Sequence, residues 1–175
     1  MGQVKKSNPV KLVVGLIFKD ESVLTKAELV LKNKFGSIDF ESSTLPFNFT
    51  DYYEAEFGLG LKKKFLSFSK LIYPQELAKI KLFTNKVENK LSKNGCRLVN
   101  IDPGYLDLAK YILATTKDYI HRIYLNKGIF AEITLYFKNN AFLPGEWTYR
   151  DYKTKEYNDI LIKIRQIYET QLEKI

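Results

Sequence analysis

The amino-acid sequence predicts an α+β protein built on a ferredoxin-like split βαβ core. Three observations lead to this prediction. An almost uninterrupted apolar segment, residues 10–18, is typical of a strand buried on both faces of a sheet. Two segments with apolar residues at helical spacing each follow a strand-like segment. The order over residues 9–101 is therefore strand, helix, strand, strand, helix, strand, with both helices on one face of an antiparallel sheet.

The elements of the first half follow in order. After the first strand, Ser22 is predicted to cap a helix that Gly36 ends in a left-handed conformation. Residues 38–45 alternate apolar and polar side chains as a strand does, and Pro46 ends that strand. Residues 46–61 are too aromatic and acidic for an unstructured linker, so they predict a loop with a short helix.

The second helix of the core begins at a proline. Residues 62–73 predict the strand before it, although the contrast between their two faces is modest. Pro74 suits the first position of a helix that runs to about Lys93. Residues 96–101 supply the last core strand. Asp102 and the proline after it then predict the N-cap and first position of a further short helix.

A β-hairpin is predicted next, with a three-residue turn at residues 126–128. Strict alternation along its strands places His121 and Ile133 on the core face. It places Arg122 and Glu132 on the opposite face. His121 and Arg122 are therefore not expected to share one face.

The C-terminal region predicts a closing strand or loop at residues 141–147 and a helix from the cap Thr154 to Glu173. The apolar stripe of that helix either packs on the sheet or pairs with another subunit, which leaves an oligomer as an open alternative. We interpret the chain as one domain with three parts. These are a flexible tail (1–8), the ferredoxin-like part (9–101), and a helix, hairpin and C-terminal helix packed on it (102–175).

Composition narrows the class of protein. With 175 residues and 45% hydrophobic content, the chain can bury a core without metals or disulfides. Cys96 is the sole cysteine, which excludes a disulfide framework or a thiolate metal cluster and fits a reducing compartment. No apolar segment reaches membrane length, so we expect a cytoplasmic protein with no membrane partner.

The positive charge is local. The formal net charge is +8, and residues 62–97 carry all of it, with ten Lys or Arg against two acids. Four of these lysines share one face of the predicted second helix, namely Lys79, Lys86, Lys90 and Lys93. Such a face can attract phosphate or RNA, but a solvated lysine-rich surface explains the same pattern.

Seven segments resemble a known family in order and over nearly the whole chain. They are VKLVVGLIF, FTDYYEAEFG, IKLFTN, NIDPGYLDLAK, ATTKDYIHRIYL, AEITLYF and WTYRDY. Together they resemble the bacterial domain-of-unknown-function family 4416. The resemblance implies no catalytic residues. Some members carry the label of GTP-binding protein, but this chain has no Gly-x-x-x-x-Gly-Lys-Ser/Thr loop, so that label yields no prediction.

Two residues are candidates for catalysis. Histidine changes charge near neutral pH without a special environment, so any histidine acid-base mechanism must use His121, the only one. A lone histidine on a core face is more often a hydrogen-bonded structural residue, which is the alternative interpretation. Asp102 is the second candidate, and as a general base it would need His121 or a ligand nearby.

Six residues are candidates for ligand binding. Arg122 and Glu132 form either a cross-strand ion pair or a phosphate clamp in which Glu132 orients the guanidinium. Lys117 lies in the polar loop 115–118, and a site is expected where that loop meets the Asp102 turn. Carboxylates beside aromatic rings can also bind a base or a sugar, as at Asp51, Tyr52 and Tyr53. No ligand spacing indicates a metal, and the sequence identifies no cofactor.

Three functions compete. The first is a ligand-binding domain or enzyme for a phosphorylated small molecule or nucleotide. The second is an RNA-binding module that uses the lysine face, although no RNA-recognition signature is present. The third is a non-catalytic interaction or assembly domain. Convergence of Asp102, Lys117, His121 and Arg122 on one pocket with the loop 49–58 would favour the first.

Overall fold

The protein has a mixed α+β architecture. The structure is a computed structural model that describes residues 2–50 and 54–174. The strands are β1 (Lys11–Phe18), β2 (Ile38–Glu41), β3 (Leu45–Pro46), β4 (Lys62–Phe68), β5 (Val99–Leu106), β6 (Lys110–Thr115), β7 (Ile123–Asn126), β8 (Ile129–Lys138) and β9 (Ala141–Pro144). The α-helices are α1 (Glu21–Phe35), α2 (Glu54–Phe57), α3 (Leu77–Lys90) and α4 (Lys155–Leu172). In the described part of the chain, no helix combines the length and apolar character needed to cross a bilayer.

All nine strands form one antiparallel sheet. Its order is β2-β4-β1-β5-β6-β8-β7, with β3 paired to β4 and β9 paired to β8. Strand β1 is buried along its whole length because it lies between β4 and β5. Its continuous apolar sequence follows from that central place, since both of its faces are covered.

Helices cover both faces of the sheet: the two core helices α1 and α3 lie on one face, as predicted, and α4 covers the other. The even-numbered apolar residues of β1, such as Leu12 and Leu16, pack with α1 and α3. The odd-numbered Val13 packs instead with the apolar stripe of α4, including Leu161 and Ile164. The C-terminal stripe therefore packs on the sheet, one of the two predicted alternatives.

Local capping signals were partly predicted. Thr154 is the N-cap of α4, where its hydroxyl accepts from the amide of Tyr157. The cap of α1 is Asp20 rather than Ser22, and the Ser22 amide donates to its carboxylate at 2.8 Å. Gly36 ends α1 with a φ of 95°. A single 3₁₀ turn, Pro74–Glu76, precedes helix α3. Helix α3 itself ends at Lys90, about one turn before the predicted end near Lys93.

The helix predicted after Asp102 does not form, because this segment belongs to strand β5. Pairing with β1 runs along all eight residues of β5, whereas pairing with β6 covers only Gly104–Leu106. The pairing of β5 with β6 stops at Pro103, because proline has no N–H to donate to β6. Gly104 allows the close approach of β6, because a Cβ there would lie 2.3 Å from the carbonyl oxygen of Ile112. The sheet therefore splits between β5 and β6 beyond Pro103.

The predicted core face of β8 is confirmed at Ile129 and Leu135, which are buried, but it is wrong at Ile133 because β8 contains a bulge. The pairing of β8 with β6 shifts register between Tyr111 and Ile112. Before the shift Glu132 stands opposite Leu113, and after it Leu135 stands opposite Tyr111, so both project to the α4 face. Glu132 is thus buried at 3% exposure, while Ile133, predicted as core, is 57% exposed.

The hairpin turn is one residue shorter than predicted. Asn126 pairs with Ile129, so only Lys127 and Gly128 remain in the turn, both with positive φ. His121 precedes β7 and does not pair with β8, which corrects its predicted position opposite Ile133.

Candidate functional site

A cavity of about 1070 Å³ opens at the split in the sheet, on the same face as α4 but in a part of it that α4 does not cover. Its floor comes from neighbouring strands, with Ile17 of β1 opposite Lys63 of β4 and Asn100 of β5. Leu113 of β6 and Glu132 of β8 continue the floor beyond the split. Residues 47–50 and 147–152 form walls above it.

Helix α3 reaches the cavity through the gap. The amide of Ile101 on β5 donates to Oε1 of Glu88 at 2.6 Å, and its carbonyl accepts from Nζ of Lys81 at 3.0 Å. These side chains bind backbone groups that a neighbouring strand would otherwise pair. Burial raises the pKa of Glu88 above its usual range. The gap is therefore lined by charged side chains rather than left open.

Arg97 joins the short helix α2 to β5 at one side of the cavity. Its Nε and Nη2 donate to the two oxygens of Glu56 at 2.8 and 2.7 Å. Its Nη1 donates to the side-chain oxygen of Asn100 at 2.9 Å and to Glu88 at 3.3 Å. Hydrogen bonds from Arg97 lower the pKa of Glu56, and those to Glu56 raise the pKa of Arg97. Four of the five N–H groups of the guanidinium thus donate to protein acceptors.

Asp102 lines the cavity beside the gap. Its Oδ2 accepts from the side-chain Nδ2 of Asn100 at 2.6 Å, and its Oδ1 lies 3.3 Å from Nζ of Lys81. Among the described residues it makes no hydrogen bond with His121. The structure therefore does not pair the two predicted catalytic residues, although Asp102 and residues 115–117 line the same cavity as expected.

His121 and Arg122 converge on one carboxylate oxygen, contrary to the expectation that they lie on separate faces. Nε of Arg122 donates to Oε2 of Glu132 at 2.7 Å, and Nε2 of His121 lies 3.2 Å from the same oxygen. Arg122 also donates to the carbonyl of Lys117 at 3.1 Å and to the hydroxyl of Tyr149 at 2.7 Å. Because both residues precede β7 in a turn, strand alternation does not separate them.

The His121 ring is held by aromatic neighbours. It stacks on Trp147 with a centroid separation of 5.3 Å and an angle of 8°, and Tyr119 meets it edge to face at 5.6 Å. Its Nδ1 is buried and has no hydrogen-bond partner in the described part of the chain. The contacts thus fix the ring plane and direct Nε2 at Glu132.

A buried ion pair closes the deep end of the cavity. Nζ of Lys63 donates to Oδ2 of Asp151 at 2.6 Å, and Lys63 is 1% exposed. The ammonium lies 4.3 Å from the ring centre of Tyr152, with three further aromatic rings within 5.5 Å. Burial raises the pKa of Tyr152 well above its usual value and that of Tyr149 to about 12. Both tyrosines are therefore neutral hydrogen-bonding groups at physiological pH.

The remaining predicted site residues are Lys117, residues 51–53 and the four stripe lysines. Lys117 is exposed and lines the cavity. Asp51, Tyr52 and Tyr53 lie outside the described residues. The four stripe lysines are exposed on the outer side of α3 and just beyond its end, and none of them lines the cavity.

Sequence reasoning missed several cavity residues that local patterns do not reveal. Lys81 carried one signal, because it lies one helical turn from Leu77 on the buried side of α3. Lys63 carried another, since it shares a strand face with Phe65. Arg150 and Asp151 carried none. Within the described residues, no group of three or more His, Cys, Asp or Glu side chains is placed to hold a metal ion.

Comparison with known proteins gives one match. The family model described as Domain of unknown function (DUF4416) matches residues 8–168. No curated protein and no solved structure matches the chain. The matched segment contains every cavity residue named above and agrees with the resemblance of the seven sequence segments. The chain therefore belongs to the family Domain of unknown function (DUF4416).

Proposed function

We propose that the cavity between β5 and β6 binds a phosphorylated small molecule or a nucleotide. The observation that carries this proposal is the split of the sheet at Pro103, where a cavity of about 1070 Å³ is lined by both polar and apolar side chains. Ligand sites are concave and hold a few convergent polar groups, as this cavity does. Its residues include basic, acidic and aromatic side chains in one place.

The phosphate group is assigned to Lys117 and Arg150. Both are exposed, and both line the cavity near its open side. Arg122, which the sequence suggested as the clamp, donates to three protein acceptors and thereby positions Glu132. We therefore place the phosphate at the cavity opening, where the two exposed cations are accessible to a ligand.

Thermal-shift measurements test this function. Nucleotides and sugar phosphates are expected to raise the melting temperature of the wild-type protein, because ligands that bind only the folded state stabilise it. The shift should shrink in Lys117→Gln and Arg150→Gln. Lys86→Gln removes one exposed lysine outside the cavity and should keep the full shift. If no phosphate ligand shifts the wild-type protein, the proposal is wrong.

We infer that residues 11–106 have the ferredoxin-like split βαβ arrangement. Support comes from the strand order β2-β4-β1-β5, from the antiparallel pairing of each neighbouring pair, and from α1 and α3 on one face. Strands β6 to β9 and α4 then extend that core.

RNA binding is the second candidate function. The observation that favours it is the exposure of all four stripe lysines on one side of the molecule. Binding through phosphate contacts weakens steeply with salt. Single-stranded RNA binding should therefore be salt-dependent and should be lost when Lys79, Lys86, Lys90 and Lys93 become Gln. Salt-insensitive binding, or binding that this variant retains, contradicts the RNA function.

A further inference from the structure

Among the described residues, two buried carboxylates in the cavity each accept hydrogen bonds through one oxygen only. Oε2 of Glu132 accepts from Arg122, and Oδ2 of Asp151 accepts from Lys63. The other oxygens, Oε1 and Oδ1, accept no hydrogen bond from a described residue. Neither is among the fully enclosed atoms that lack a partner, and both residues line the cavity. The second oxygens therefore face the cavity.

These oxygens require a donor. Glu132 and Asp151 are only 3% and 5% exposed, so a donor reaches their free oxygens through the cavity. A salt-bridged carboxylate is an acceptor only, and a buried acceptor without a donor raises the free energy of the protein. The anchoring cations fix where Oε1 and Oδ1 lie, because each holds the opposite oxygen. The free oxygens are thus preorganised to accept from a ligand.

The same cavity presents an aromatic surface beside these acceptors. Trp147 lines it and is 48% exposed, although one face of its indole is covered by His121. Tyr149, beside it, donates no hydrogen bond to a described residue but accepts one from Arg122. Carboxylate oxygens next to an aromatic surface suit a polyhydroxylated ligand. The O–H groups of such a ligand donate to the carboxylates, while its C–H groups pack on the aromatic ring.

We propose that Glu132 and Asp151 form a hydroxyl-binding subsite, so that the ligand is a sugar phosphate, free or as the ribose phosphate part of a nucleotide. This inference rests on the proposed function, because it requires the cavity to bind a phosphate ester. Arg122 and His121 are positioning residues for Glu132, and Lys63 is the positioning residue for Asp151.

Fluorescence titration tests the subsite, because Trp147 is the only tryptophan of the chain and lines the cavity. Wild-type protein is titrated with ribose 5-phosphate, with adenosine monophosphate, and with propyl phosphate, which has no hydroxyl. Ribose 5-phosphate should bind at least about tenfold more tightly than propyl phosphate, as one charge-assisted hydrogen bond suffices for that ratio. Adenosine monophosphate binding tighter than ribose 5-phosphate indicates a nucleotide, and equal binding indicates a free sugar phosphate.

Glu132→Gln and Asp151→Asn complete the test. In each variant the amide oxygen can keep the anchoring bond, while the NH₂ group replaces the free acceptor oxygen. The preference for ribose 5-phosphate should then fall, with propyl phosphate binding unchanged. If one variant fails to fold, the other variant and the comparison of ligands on the wild-type protein still test the subsite.

The outcomes separate the two proposals. Equal binding of ribose 5-phosphate and propyl phosphate to the wild type overturns the subsite and leaves the proposed function standing. A preference that survives in both folded variants also overturns the subsite. Absence of binding by every phosphate ester, confirmed by calorimetry, overturns the proposed function itself.

Discussion

Arg122 holds Glu132 by a hydrogen bond of 2.7 Å from Nε to Oε2, inside a sheet where both side chains are almost fully buried. The pair is anchored further, because Tyr149 and the carbonyl of Lys117 accept two more hydrogen bonds from the guanidinium. A turn before β7 and a bulge in β8 bring the two residues together. This relationship sets the direction of the carboxylate in the cavity.

Replacement of Arg122 should destabilise the protein strongly. In Arg122→Gln the carboxylate of Glu132 stays buried without its charged donor, and removal of one partner from a buried pair costs about 3–5 kcal/mol. Chemical denaturation measures the free energy of unfolding. Lys155→Gln breaks an exposed helical pair with Asp159 and should change stability little. Equal stability of the two variants would contradict the described burial.

Gly104→Ala tests the close approach of β5 and β6. The added Cβ would meet the Ile112 carbonyl oxygen at 2.3 Å and carbons of Tyr111 and Leu113 at 3.1 Å, so the strands must move apart. We expect a loss of about 1–3 kcal/mol or more in unfolding free energy. Gly145→Ala, where the nearest atom is 3.9 Å away, is the control and should unfold like the wild type.

The bulge in β8 makes neighbouring residues respond differently. Leu135→Ala removes a side chain that is 1% exposed and should lower the unfolding free energy by about 2–5 kcal/mol. Ile133→Ala truncates a mostly exposed side chain and should have a much smaller effect. Denaturant midpoints of the two variants provide the comparison. Similar losses in the two variants would support the unbroken alternation that the sequence suggests, in which Ile133 and Leu135 share the core face.

Alkaline pH should unfold the protein through its buried tyrosines. Burial raises the pKa of Tyr149 to about 12 and that of Tyr111, Tyr152 and Tyr157 above the usual value. Above pH ~10 the unfolded chain releases phenolic protons that the folded protein retains, so stability falls as pH rises. The part of the phenolate absorbance that comes from the buried tyrosines should therefore change together with the circular dichroism. Complete ionisation near pH ~10 with unchanged dichroism would contradict this.

Elements with strong local patterns were predictable from the sequence. The apolar run of β1 and the helical periodicity of α1, α3 and α4 reflect burial, which sequence shows directly. The strand nature of Asp102 and Pro103 was not predictable, because the pair is also an ordinary helix start. Pairing with β1, which lies more than 80 residues earlier in the chain, determines the outcome.

The candidate site was predictable only in part. Residues 115–117 and Asp102 meet at the cavity as the sequence suggests. The arrangement of Glu132 depends on the register shift in β8, which leaves no mark in the local alternation. Lys81 reaches the cavity only because the sheet splits, and that split follows from tertiary pairing.

Isothermal titration of ribose 5-phosphate is the most direct test of the central claim that this cavity binds a phosphate ester. The comparison uses the wild type, the Lys117→Gln/Arg150→Gln double variant, and the charge-matched Lys79→Gln/Lys86→Gln variant outside the cavity. Loss of two phosphate contacts should weaken binding by about tenfold or more in the cavity variant, with the control equal to the wild type. No binding by the wild type, or equal weakening in both variants, would contradict the claim.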